Sequence, residues 1–132
     1  MPFNPPVVTM LYAALCGLLL IALALNVVRL RLGRKIPLGV GEGSALEQPV
    51  RVHGNFTEYA PPFLILLLLA ELGGASSGFL HLMGAAFMVG RLLHAYGLST
   101  VRARSFGRFY GSVISWTAIL VLSVYLLLRA FG

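Results

Sequence analysis

The chain has 132 residues, 58% of them hydrophobic and 11% charged, with a mean hydropathy of +0.89. These values lie outside the range of soluble domains, and four spans of about 20 residues each use most of the length, which leaves no room for a separate water-soluble domain. The net charge of +6 does not mark a nucleic-acid binder, because the basic residues stand at the ends of apolar runs rather than along a soluble face.

The first apolar run, 7–28, follows Pro5 and Pro6 and ends at Arg29, Arg31, Arg34 and Lys35. It is longer than the roughly 7–15 residues of a signal-peptide core and no basic residue precedes it, so it reads as a retained helix over about 6–34. From Lys35 to Glu47 the chain turns polar and glycine-rich, with Pro37, Gly39, Gly41 and Gly43, which is loop chemistry. A second helix is predicted over about 47–72. Its first turns are polar, its last almost purely Leu, Ile, Phe and Ala, and Pro61-Pro62 are expected to bend it where the character changes.

The Gly- and Ser-rich stretch from Gly73 to Gly78 reads as a short turn. A third helix follows over about 78–98, where Gly84, Ala85, Ala86 and Gly90 allow close helix contact in lipid. After a basic connection with Arg102, Arg104 and Arg108, a fourth helix is predicted over about 105–130. The expected fold is all-α: one domain, 1–132, built as an integral membrane four-helix up-down bundle. No internal repeat supports a transporter of two related halves. The single Cys16 gives no disulfide framework, and His53, His81 and His94 lack metal-site spacing, so no metal is expected.

Arg29, Arg31, Arg34, Lys35 and Arg51 flank the first connection, Arg91, Arg102, Arg104 and Arg108 flank the third, and only Arg129 falls on the other side. By the positive-inside rule both termini lie away from the cytoplasm. Glu71 and His81 then sit near the non-cytoplasmic face and read as interfacial. Trp116, Tyr12, Tyr110 and Tyr125 read as packing or interface residues.

The chemistry is concentrated in the second helix, where Arg51, Asn55 and Glu58 follow one another at i, i+4 and i+7 along one face. A charge at the centre of a bilayer costs at least about 2.5–3.5 kcal/mol, so such residues face a protein interior, a watery cavity or the interface. One reading pairs Arg51 with Glu58 across two turns and leaves Asn55 as interhelical glue. Arg91 and His94 on the third helix, with the hydroxyls of Tyr59 and Tyr96, add a second polar step toward the same ends and favour a ligand. Arginines with one carboxylate and an amide suit a small anionic molecule that also carries an ammonium group. Glutathione has those groups and a thiol whose ionisation a nearby arginine favours. An anionic lipid head group fits the same residues.

The segment Arg51-Val-His53-Gly-Asn55-Phe-Thr-Glu58-Tyr59, an apolar run, and then Gly90-Arg91-Leu-Leu-His94-Ala-Tyr96 resembles the MAPEG family, the membrane-associated proteins of eicosanoid and glutathione metabolism. The similarity covers nearly the whole chain. It implies a homotrimer with glutathione bound between subunits near the cytoplasmic side and a lipophilic acceptor entering from the lipid. Arg51, Asn55, Glu58 and Tyr59 match the family's glutathione-binding stripe, His53 a variable position of that pocket, and Arg29 or Arg31 the basic end of the first helix. Arg91 matches the arginine opening the third-helix motif, where His94 and Tyr96 follow.

Val101-Arg102-Ala103-Arg104-Ser105 resembles the segment that supplies a thiolate-stabilising arginine and, in some members, a following serine. Arg104 and Ser105 are accordingly the catalytic candidates, with Arg102 and Arg108 as rivals to Arg104. The activity implied is that of a membrane-bound glutathione transferase or glutathione-dependent peroxidase. A small transporter or a non-catalytic scaffold would use the same stripe as a pathway or a seam. A bacterial inner membrane is the expected location.

Overall fold

The computed structural model describes residues 2–41, 45–100 and 106–132. Within them the chain forms four helices, α1 (Val7–Arg34), α2 (Glu47–Leu72), α3 (Ser77–Thr100) and α4 (Phe106–Phe131). Three of these, α1, α3 and α4, are long and apolar enough to cross a membrane. The α2 helix has 26 residues, about 39 Å at a rise of about 1.5 Å per residue, and differs from the others in carrying charge through its first half. The protein is a multi-pass membrane protein.

Contacts between helix ends fix the topology. Glu71, near the end of α2, meets the start of α1, and the Tyr12 hydroxyl of α1 meets His81 in the first turns of α3. Arg129, near the end of α4, donates to the Gly73 carbonyl just past α2 at 2.8 Å. The start of α1, the end of α2, the start of α3 and the end of α4 therefore share one face of the bundle, which is the up-down order. The α2 helix packs on all three others, α3 and α4 form the most extensive pair, and α1 and α4 do not pack on each other among the described residues.

The core lies along the inner face of α2, where Val52, Phe56, Ala60, Phe63, Leu67 and Ala70 are buried at helical spacing. Phe63 stacks on Phe87 of α3 at 4.0 Å between ring centroids. The outer faces of α1 and α4 carry exposed Leu18, Ile21, Leu25, Leu120 and Leu127, which in a bilayer meet lipid rather than water.

Glycine sets the closest approaches. A Cβ at Gly111 of α4 would lie 2.5 Å from the Gly90 carbonyl and 2.5 Å from the His94 amide nitrogen of α3, so the two backbones touch there. A Cβ at Gly84 would overlap the ring of Tyr12. Of the small residues expected to make contacts, Gly84 and Gly90 turn inward, whereas Ala85 is exposed. The α2 helix continues through Pro61 and Pro62 without interruption. Neither proline has an N–H, so the carbonyls of Thr57 and Glu58, four residues earlier, lose their helical donors. Both prolines lie on the exposed side.

The start of α1 has no cap of its own, since Pro6 offers no side-chain acceptor. Glu71 supplies one from another helix: its carboxylate accepts from the amides of Val8 at 2.9 Å and Thr9 at 2.7 Å. A carboxylate there satisfies orphan donors and meets the positive end of the helix dipole. At the other end α1 stops at Lys35, which takes a left-handed conformation with φ 55. Arg31 then folds back, donating to the carbonyls of Ile36 at 3.1 Å and Gly39 at 2.7 Å.

Candidate functional site

The polar residues of α2 divide between two faces. Arg51 and Glu58 are exposed on the outer side, in line with Pro62, Ile65 and Leu69, while Asn55 and Tyr59 are half-buried toward α3 and α4; His53 is half-buried on the other flank of the buried stripe. Arg51 and Glu58 make no ion pair with each other among the described residues. The stripe is therefore not closed upon itself. Two opposite charges are left exposed on the outer face of α2, where a membrane protein tolerates them only beside water, head groups or another polar partner.

Behind that face sits Arg91, 3% exposed. Its Nε donates to Ser115 Oγ at 2.8 Å, one terminal nitrogen donates to Asn55 Oδ1, and the other reaches the Gly111 carbonyl at 3.5 Å. Its Cζ stands 5.2 Å from the centroid of the Tyr59 ring and 5.9 Å from that of Phe87. Each of these partners is neutral. A buried guanidinium is tolerated here because oxygens satisfy its donors and ring faces satisfy its charge. Ser115 Oγ in turn donates to the Gly111 carbonyl at 2.8 Å. One side chain thus joins α2, α3 and α4.

The other expected site residues are distributed unevenly around this centre. His94 is buried one turn beyond Arg91, with its backbone against Gly111. Tyr96 is 70% exposed. Arg29 is exposed and donates to Asn26 Oδ1 at 2.8 Å, and Arg31 is engaged with the connection after α1. Arg104, Ser105 and the rival Arg102 lie outside the described residues; Arg108 is on the first turn of α4 and exposed. The structure brings together Asn55, Tyr59 and Arg91. It sets Arg51 and Glu58 beside them on the outer surface, and it keeps Arg29 and Arg31 in local contacts.

Ser115, Gly111 and Trp116 belong to the same neighbourhood, and sequence reasoning did not assign them to it. The tilted Trp116 ring stands 6.5 Å from Tyr59, half-exposed, where the aromatic wall meets the outer surface. The available signal was the Gly111-x-x-x-Ser115 spacing, a small-residue pattern that lets a neighbouring helix come close. At the opposite end, Glu71 and His81, expected to be interfacial, have specific partners: Glu71 caps α1, and the Tyr12 hydroxyl lies 3.1 Å from His81 Nδ1 and 3.2 Å from the His81 carbonyl.

A family model described as the MAPEG family matches residues 9–128. The chain is also similar to the inner membrane protein YecN of Escherichia coli K12, with 37% identity over 115 residues that cover 87% of this chain and 86% of the relative. The same identity and coverage are found with YecN of Escherichia coli O6:H1.

Proposed function

The chain belongs to the MAPEG family, and from that membership we propose that it is a membrane-embedded glutathione transferase or glutathione-dependent peroxidase acting on lipophilic electrophiles. The observation that carries the proposal is the outward pair Arg51 and Glu58 on α2, each without the other as partner. A cation and an anion two turns apart, facing away from the bundle, match a small molecule that carries both carboxylates and an ammonium group. Glutathione is such a molecule, and as substrate it supplies a sulfur nucleophile. An outward face also suits a site completed by a neighbouring copy, so the working assembly is a homotrimer with glutathione at the seams. Likeness to YecN supports a bacterial inner membrane, and the positive-inside rule favours both termini lying away from the cytoplasm.

The division of labour follows from position. Arg51 clamps a carboxylate, Glu58 holds the ammonium group, and Asn55 with Tyr59 bounds the peptide from the inner side. His53 lies on the same turns. These residues orient the tripeptide, which is where most of an enzyme's entropic advantage arises. Arg104 holds the sulfur in its thiolate form by charge alone, since a guanidinium is too weakly acidic to take part in proton transfer near neutral pH. Ser105 donates a hydrogen bond to the same sulfur. The acceptor is an apolar electrophile, or a lipid hydroperoxide, reached from the lipid along the exposed faces of the helices.

The test is turnover in detergent, without any membrane gradient, using an apolar chloroarene and a lipid hydroperoxide with glutathione. Activity in the unmodified chain, with the far-ultraviolet thiolate absorbance lost in Arg104→Ala while glutathione still binds, supports the assignment. An unmodified chain that carries glutathione across sealed vesicles yet turns over neither acceptor contradicts it in favour of a transporter.

A further inference from the structure

We propose that Arg91 is a positioning residue, not a ligand contact, and that it makes Asn55 a hydrogen-bond donor selecting a carbonyl or carboxylate oxygen of the ligand. The chemistry of the pair dictates this. Arginine has donors only, so the Asn55 amide presents Oδ1 to it, and the two N–H groups of Nδ2 are the half of the amide not committed to Arg91. Asn55 is half-buried between the core face and the outer face of α2, one turn from both Arg51 and Glu58. An asparagine that is free to flip offers either end of its amide to a ligand; one whose Oδ1 is held by a buried guanidinium offers chiefly its two N–H donors.

Arg91 cannot turn away from this task without breaking other contacts. Its Nε is held by Ser115, its second terminal nitrogen lies by the Gly111 carbonyl, and it lies over the Tyr59 ring on the same side as Asn55. The guanidinium therefore sets two neighbouring α2 side chains, four residues apart, from a single fixed point. Gly111 and Ser115 belong to the first turns of α4, so the same residue ties the site to the helix that begins immediately after Arg104 and Ser105. The identity of the ligand rests on the glutathione reading; the orientation of the amide does not.

Glutathione titrated calorimetrically into detergent-purified protein, together with thermal unfolding, separates the two claims. Asn55→Asp keeps an acceptor for Arg91 and removes both donors, so its unfolding midpoint is expected at or above that of the unmodified chain while glutathione affinity falls at least tenfold. Arg91→Gln is expected to weaken binding about tenfold in the unmodified background and to change it less than twofold in an Asn55→Ala background, because it acts through that amide. If Arg91→Gln does not fold, Ser115→Ala loosens the same guanidinium, with a loss of a few fold that again disappears in Asn55→Ala.

Additive losses from Arg91 and Asn55 would mean that Arg91 touches the ligand itself and would overturn the proposal, as would Asn55→Asp binding as tightly as the unmodified chain. If the unmodified chain does not bind glutathione, the ligand reading fails. The lock is then judged by unfolding: an Asn55→Asp midpoint well below that of Asn55→Ala overturns it, and one above supports it.

Discussion

The two ends of the bundle hold similar residues and use them differently. At the end where α1 begins, Glu71 caps a helix, His81 meets Tyr12 and Arg129 meets the Gly73 carbonyl, so each of these polar side chains finds its partner within one chain. At the other end Arg91 is satisfied in the same manner, but Arg51 and Glu58 point out of the bundle. An ionised side chain that a fold leaves outward at a membrane helix is costly unless something else receives it. The comparison teaches that charge by itself is no argument for a site; what supports the proposed site on α2 is charge that has no partner of opposite sign among the described residues of its own chain.

The sharpest way to break this contrast is to disturb the frame that both ends share. Gly111→Val puts a Cβ within 2.5 Å of backbone atoms of Gly90 and His94 that have no freedom to move aside. It is expected to lower stability by about 3 kcal/mol, the upper part of the overpacking range, with binding lost alongside; thermal unfolding in detergent reads it. Next in size, Arg51→Ala removes a charged hydrogen-bonding group of the outward face. Glutathione affinity should fall about 30-fold, roughly 2 kcal/mol, with the unfolding midpoint nearly unchanged.

The complementary change at the first end is Glu71→Ala, which leaves the Val8 and Thr9 amides without their acceptor. Loss of such a cap is expected to cost about 1.5 kcal/mol of stability and to leave glutathione affinity as it was. If Glu71→Ala weakened binding as much as Arg51→Ala did, the distinction between the ends would collapse. The smallest effect is expected at Lys35, a left-handed residue where glycine carries no steric penalty. Lys35→Gly should raise stability by about 1 kcal/mol, seen as a higher unfolding midpoint.

Much of the fold is legible in the sequence because its signals are local and one-dimensional. Apolar runs bounded by basic residues, and a glycine- and serine-rich turn after Leu72, define four helices joined by short links, and an up-down order follows from them. The polar stripe of α2 is legible for the same reason, as its residues share one stretch of chain. What could not be read is which neighbour each polar residue meets. Arg91 and Ser115 are 24 positions apart and Glu71 and Val8 are 63 apart, and nothing in local spacing links them. Helical spacing put Arg51, Asn55 and Glu58 on one side of α2, yet the edge of that side falls between Asn55 and its neighbours. The amide turns in and the charges turn out, because the burial boundary is set by where α3 and α4 pack.

The measurement that tests the central claim most directly is a calorimetric titration of glutathione into the unmodified chain, Arg51→Ala and Glu71→Ala, prepared identically in detergent. Saturable binding in the unmodified chain and in Glu71→Ala, with a loss of about 30-fold in Arg51→Ala, is the predicted result. Absence of binding in the unmodified chain, or equal affinity in all three proteins, would contradict the reading of the outward face of α2 as a glutathione site.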